Sequence, residues 1–284
     1  MTRRGLLLFA LLSVLWGVPY LLIKLAVAEV SAPFLVFARA GVGALTLLPF
    51  ALLQGSFGWV RTRWLPVAAF CLFEMILPWI LIAHGEVSID SSTAGLLIAT
   101  TPIVTVLIAR ISGSGEQLGP RRWAGLLLGL SGVFVLALPS FDANLLAVVE
   151  ILLAALCYGI GSIIAARWLN EAPASQLTAL CLIGAAIAYA WPAAMAWPVA
   201  LPSAAALWSI VSLGVFCTAL AFATFFLLVR EIGPERAVVI TYVAPAIAVT
   251  AGVLVLAEPL TARILAAFAL ILLGSWLGTS RSRH

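Results

Sequence analysis

Along this chain, apolar stretches roughly twenty residues long alternate with short clusters of Pro, Gly and charge. The stretches fall at 5–23, 33–54, 65–83, 91–109, 121–139, 144–166, 174–196, 205–229, 236–256 and 260–278. A bilayer core about 30 Å thick takes roughly 20 helical residues. Most stretches are apolar all round, as suits lipid or a packed membrane interior. Strict apolar/polar alternation is missing, which argues against a β-barrel. The pattern predicts an all-α, polytopic membrane protein of ten transmembrane helices. Arg3 and Arg4 before the first run, and Ala26-Val27-Ala28 after it, resemble the ends of a signal peptide. The run exceeds a typical signal core, so a retained span is expected.

Alternating the loops between two faces sorts the charge. One face collects Arg3, Arg4, Arg61, Arg63, Arg110, Arg121, Arg122, Arg167, Arg230, Arg236, Arg281 and Arg283. The other holds Lys24 and Arg263, and Arg39 lies within a span. Positive-inside bias then puts both termini in the cytoplasm, with a bacterial-type inner membrane as the expected location.

The chain also matches itself at an offset of about 142. Leu15-Trp16-Gly17 aligns with Cys157-Tyr158-Gly159, and Ala94 through Pro102 with Ala237 through Pro245. Gly115-Glu116-Gln117-Leu118 aligns with Ala257-Glu258-Pro259-Leu260, and Gly132 with Gly274. Residues 1–142 and 143–284 are therefore expected to be two five-helix repeats. Five is odd, so the second repeat is inverted. Such repeats meeting near the midplane are a transporter architecture.

Composition narrows the class. Of 284 residues, 64% are hydrophobic and 9% charged, with a mean hydropathy of +1.20, which leaves no room for a soluble catalytic domain. The net charge of +4 reads as a topology signal rather than a nucleic-acid surface. Cys71, Cys157, Cys181 and Cys217 sit in apolar runs without CxxC spacing, and the only histidines are His84 and His284. No metal site, catalytic residue or cofactor is expected. There is no Walker loop, HExxH or Ser-His-Asp order. The expected partners are a small-molecule solute and the lipid bilayer, with no nucleic acid; the oligomeric state stays open.

The Trp16-Gly17 pair, Arg39, and the run from Ala94 through Pro102 to Glu116, repeated from Ala237 through Pro245 to Glu258-Pro259-Leu260, resemble EamA-type members of the drug/metabolite transporter (DMT) superfamily. The resemblance covers nearly the whole chain. It implies a ten-helix inner-membrane carrier exporting amino acids or other metabolites. The chain as a whole resembles the aromatic amino acid exporters of that superfamily.

Ionisable groups within spans mark function by default. Glu74, near mid-bilayer, is expected to meet a substrate ammonium or to carry a proton. Arg39 is expected to snorkel or to pair with Glu29, Glu86 or Asp90. Lys24 and Glu150 are expected at the interface, although Lys24, or an inward Arg39, offers a partner for a carboxylate. Ser13, Trp16, Gly17, Tyr20 and Lys24 share one helical face, matched by Tyr158, Gly159 and Ser162; the face reads as an aromatic cavity wall or as tight helix packing. Pro102 and Pro245 each free a carbonyl, of Ile98 and Thr241, beside Thr100, Thr101 and Tyr242. With Gly17 and Gly159 they are candidate hinges. Pro78 and Trp79 follow Glu74 by one turn. Trp59, Trp64, Trp123, Trp168, Trp197 and Trp208 read as interfacial anchors. The binding set expected is Trp16, Tyr20, Glu74, Pro78, Trp79, Thr100, Tyr158 and Tyr242. The function expected is alternating-access export of small organic metabolites, aromatic or hydrophobic amino acids first. The alternatives are a broad drug or nucleotide-sugar carrier, a membrane-embedded lipid enzyme, or a scaffold.

Overall fold

The computed structural model describes residues 2–111, 119–137, 144–233 and 240–279. Outside them lie the landmarks Gly115 to Leu118 and Ala237, the arginines Arg236, Arg281 and Arg283, and the boundary between 142 and 143. Every regular element among the described residues is helical. In chain order they are α1 (Arg3–Gly17), α2 (Pro19–Val27), α3 (Ala32–Leu52), α4 (Val60–Cys71), a π-helical turn π1 (Leu72–Ile76), α5 (Leu77–Ser88), α6 (Ser91–Ile98) and α7 (Thr101–Ile111). There follow α8 (Pro120–Ala137), α9 (Leu145–Trp168), α10 (Ala174–Met195), α11 (Ala204–Gly214), a second π turn π2 (Val215–Leu220), α12 (Ala221–Ile232), α13 (Ile240–Leu256) and α14 (Ala262–Thr279).

Local chemistry sets the boundaries. Thr2, Ser31 and Ser203 cap α1, α3 and α11 by accepting from the amides of Gly5, Phe34 and Ala206, which satisfies donors the first helical turn leaves over. Pro19 sits at the start of α2 and splits the first apolar stretch at Val18. Pro102 has a comparable effect: the fourth stretch opens at Ala99 and Thr100 between α6 and α7. Its counterpart Pro245 lies inside an unbroken α13.

Seven helical stretches among the described residues are long and apolar enough to cross a membrane: Arg3–Val27, Ala32–Leu52, Val60–Ser88, Ser91–Ile111, Leu145–Trp168, Ala174–Met195 and Ala204–Ile232. Ile240–Leu256 and Ala262–Leu277 are shorter apolar helices, and α8 spans 18 residues. Side chains that point outward are apolar: Leu45, Leu53, Trp191 and Leu254 are 76%, 84%, 74% and 77% exposed. Such a surface suits hydrocarbon and not water. Trp64, Trp123, Trp168, Trp197 and Trp208 are exposed, as anchors should be, whereas Trp59 is half-buried and donates to Gln176.

The helices pack in a regular scheme. α8 lies along α14, α3 along α10, and α6 along α13. The stretch α4–α5 packs on α9, and α11–α12 packs on α1–α2. α7 packs on α9, and α13 on α1. Small residues let backbones meet: a Cβ on Gly274 would collide with the backbone of Gly129 and Gly125. Helix association in lipid draws on this close approach, since burial from water is unavailable as a driving force.

Candidate functional site

Two widened helical turns organise the interior. In π1, Pro78 follows closely; it lacks an N–H and crowds the carbonyl four residues back, so the regular ladder cannot continue. Tyr189 of α10 donates its hydroxyl to the Ile76 carbonyl at 3.0 Å. In π2, the Thr218 hydroxyl donates to the Leu213 carbonyl, five residues back, at 2.8 Å. Such π insertions rotate the following side chains and recur at functional sites. They turn Glu74 and Thr218 toward neighbouring helices.

Close backbone contact between α3 and α11 brings the next group in. A Cβ on Gly214 would stand 2.9 Å from the Arg39 carbonyl, and one on Gly43 would stand 3.3 Å from the Gly214 carbonyl. Arg39 is thereby carried to π2 and is only 9% exposed. Its guanidinium lies over the Trp79 ring, 3.8 Å from the centroid. Such a cation–π contact contributes on the order of 0.5–2 kcal/mol. Arg39 Nε and Nη2 each reach Thr218 Oγ1 at 3.4 Å. The expectation that Arg39 snorkels or pairs with Glu29, Glu86 or Asp90 is therefore replaced: Arg39 turns inward and forms none of those ion pairs. The glycine contact sets the Arg39 backbone directly against α11, next to π2 where Thr218 accepts from the guanidinium.

Around Arg39 stand Tyr158, Cys217, Tyr20 and Glu86, all within electrostatic reach. Tyr158 of α9 lies beside the Trp79 indole and next to Glu74. Glu74 faces Gly161, where a Cβ would fall 2.6 Å from its Oε2. Tyr20 packs on Gly95 of α6. Thus Tyr20, Glu74, Pro78, Trp79 and Tyr158 of the expected set come together, with Arg39, Thr218 and Cys217 added. Glu86 is fully buried, and neither of its carboxylate oxygens meets a donor among the described residues. The Lys24 ammonium donates to the carbonyls of Glu86 at 2.7 Å and Ile89 at 2.8 Å, at the end of α5.

Other expected site residues lie elsewhere. Trp16 packs against Phe222 and Phe225 of α12, with ring centroids 6.1 and 5.2 Å away. Thr100 is buried and donates to Leu97 at 2.6 Å, and Thr101 donates to the Ile98 carbonyl at 2.7 Å. The carbonyl that Pro102 frees is therefore already met locally. Tyr242 donates to the Ser275 carbonyl of α14 at 3.3 Å. Gly17 is a contact point with Ile247 and Ala244 of α13, and Gly159 with Thr105 and Ile108 of α7.

The ends of the bundle are tied by polar contacts. Arg63 bonds Glu171 at 2.8 Å and the Trp168 carbonyl at 3.0 Å, and Thr2 bonds Glu231 at 2.6 Å. At the opposite end, His84 meets Glu150 at 2.8 Å. Glu29 there accepts from the Ser203 amide at 2.6 Å and its hydroxyl at 2.5 Å. Those bonds hold the Glu29 carboxyl below its ordinary value, while burial, with Glu258 nearby, raises that of Asp90. Glu258 accepts from the Ser91 amide at 2.8 Å, the Ser91 hydroxyl at 2.7 Å, the Ser92 amide at 3.0 Å, and the Ser92 hydroxyl. One cavity of about 350 Å³ opens at the Arg63–Glu171 end, and one of about 380 Å³ lies between α13 and α14; the Arg39 cluster lines neither.

The sequence places this architecture among known proteins. The model of the EamA-like transporter family matches residues 3–138 and again residues 145–279. An uncharacterized transporter from Archaeoglobus fulgidus is 26% identical over 274 residues, covering 95% of this chain and 97% of that protein. The uncharacterized inner membrane transporter YedA of Escherichia coli is 24% identical over 257 residues, 86% of this chain and 80% of that one. A probable terminal-alkyne amino-acid exporter from Streptantibioticus cattleyicolor is 33% identical over 90 residues, 30% of this chain and 28% of that protein. A solved crystal structure superposes with a TM-score of 0.69, covering 98% of this chain and 97% of that chain at 20% identity, which is a likeness of fold.

Proposed function

Because the chain belongs to the EamA-like transporter family of the DMT superfamily, we propose that this multi-pass membrane transporter exports small organic metabolites by alternating access, aromatic or other hydrophobic amino acids first. The observation that carries the reading is the buried cluster of Tyr20, Arg39, Glu74, Trp79, Tyr158 and Thr218. Its members come from α2, α3, π1 and α5 in the first half and from α9 and π2 in the second. A site lined by both halves is what a passage between them requires. Three aromatic rings, of Tyr20, Trp79 and Tyr158, supply apolar surface, and Arg39, Glu74 and Thr218 are the polar groups that fix orientation. Glu74, beside Tyr158, meets a cationic group or carries a proton.

The halves 1–142 and 143–284 act as inverted five-helix units, giving ten spans with both termini in the cytoplasm of a bacterial-type inner membrane. Two features support this. Exchanging the halves exchanges the packing pairs: α4–α5 on α9 becomes α11–α12 on α1–α2, and α7 on α9 becomes α13 on α1. The two π turns also fall at matching places, Leu72–Ile76 and Val215–Leu220. Pro102 and Pro245, with Gly17 and Gly159, serve as hinge points at matched contacts.

Counterflow into proteoliposomes tests the reading, with labelled tryptophan, phenylalanine, threonine and a cationic drug. Uptake of the aromatic amino acids above empty liposomes is expected. Uptake equal to empty liposomes for all three amino acids overturns it.

A further inference from the structure

We infer that Arg39 is the receptor for a carboxylate on the transported solute; the inference deepens the carrier reading above and rests on it. A guanidinium carries five N–H donors. Arg39 directs two of them, from Nε and Nη2, at a single oxygen, Thr218 Oγ1, and both contacts are 3.4 Å long. Charge-assisted bonds of this kind are ordinarily about 2.7–2.9 Å. Thr218 spends its own proton on Leu213, so it serves only as an acceptor. Among the described residues the remaining three donors have no partner, and no carboxylate lies within ion-pair distance of Arg39.

This cation is 91% buried, with 9% of its surface accessible. Elsewhere in the bundle Glu258 is met by four donors and the Lys24 ammonium by two carbonyls, while the Glu86 carboxylate meets no donor among the described residues. Glu86, the acid within electrostatic reach of Arg39, feels Lys24 more strongly than it feels Arg39. The Arg39 guanidinium carbon is also held over the Trp79 ring, 3.8 Å from its centroid. A guanidinium held over a ring keeps N–H donors free of it, and two parallel N–H groups form the fork that a carboxylate accepts bidentately. Tyr20 and Tyr158 stand within electrostatic reach of it, and Glu74 within reach of Tyr158. A solute with a carboxylate on Arg39, an ammonium toward Glu74 and an apolar side chain against the rings answers the open donors of Arg39 and the carboxylate of Glu74. The class is the α-amino acids and related aryl carboxylates, not free amines or neutral sugars. Lys24, the other cation the sequence offered to a carboxylate, is already engaged.

The test uses three probes that share a ring and chain length: L-phenylalanine, 3-phenylpropionate with the carboxylate alone, and phenethylamine with the ammonium alone. In competition against labelled L-phenylalanine counterflow, 3-phenylpropionate should inhibit at least about tenfold better than phenethylamine. Arg39→Gln should raise the half-inhibitory concentration of both carboxylates by about 10- to 100-fold, the scale of losing hydrogen bonds to a charged group. It should leave phenethylamine little changed, and Arg39→Lys should fall between. Phenethylamine competing as well as 3-phenylpropionate in the unaltered protein overturns the inference without any variant. Should none of the amino acids be carried, the carrier reading falls. The Arg39 site is then read by thermal unfolding of the purified protein with each probe. Failure of 3-phenylpropionate to stabilise the unaltered protein more than Arg39→Gln overturns it there too.

Discussion

Glu258 holds the start of α6 from 167 residues away, and its removal has a calculable cost. The first amides of a helix have no partner within it. Asp90, at the cap position, makes no capping bond with its side chain. The Glu258 carboxylate takes the Ser91 and Ser92 amides instead, together with both hydroxyls. Ser91 and Ser92 are 0% and 1% exposed, so water cannot replace it. In Glu258→Ala the two hydroxyls are free to rotate, but two sealed N–H groups lose their acceptor at about 1–3 kcal/mol each. The helix dipole loses its anion as well. The expected destabilisation is about 3–6 kcal/mol. Glu258→Gln keeps one acceptor oxygen and should lose about half of that. Unfolding in detergent micelles, followed by tryptophan fluorescence, reads both values. A cycle with Ser91→Ala and Ser92→Ala should be strongly non-additive, because the three residues share one set of bonds. A Glu258→Ala protein within about 0.5 kcal/mol of the parent, the range of an ordinary surface substitution, would refute the capping argument.

Three further outcomes follow from the same contacts. Lys24→Met removes two charge-assisted bonds at the end of α5 and strips Glu86 of the opposite charge that acts on it most; a loss of about 3–5 kcal/mol is expected, with Glu86→Gln restoring part of it in the same unfolding assay. Ala257 adopts φ of 52°, a conformation costing an ordinary residue about 1–2 kcal/mol, so Ala257→Gly should raise the thermal midpoint. Glu29 titrates below its ordinary 4.5 because Ser203 bonds its carboxylate; its stabilising contribution is complete above the unfolded-state value and is lost as pH falls through the folded one. The acid limb of the stability profile should therefore flatten in Ser203→Ala.

Much of the helical layout was legible because lipid imposes a simple rule. A stretch with no charge and no alternation has few other stable forms in a bilayer, and Pro19 and Pro102 mark their breaks in plain view. Glu74 stood out because a carboxylate inside an apolar run is costly. The π turns were hidden, since an extra residue in a helical turn leaves no mark on hydropathy. Without them, Thr218 could not be placed beside Arg39. Arg39 itself looked close enough to a surface to reach it. Its inward course depends on Gly43 and Gly214 letting α3 and α11 touch, a contact between distant segments that local pattern does not encode. Trp16 and Tyr242 were grouped with Tyr20 and the Pro-containing spans by helical spacing. Spacing fixes a shared face but not which helix covers it, and α12 and α14 respectively do so.

The central claim is that the Arg39–Trp79–Tyr158 cluster lies on a passage opened to each side of the membrane in turn. It is tested by placing a single reactive thiol in that cluster: Tyr158→Cys, with Cys71, Cys157, Cys181 and Cys217 replaced by alanine. In oriented vesicles, a membrane-impermeant thiol reagent should modify position 158 from either face, and saturating L-phenylalanine should slow both reactions. Modification from neither face, or from one face alone with no protection by L-phenylalanine, would contradict it.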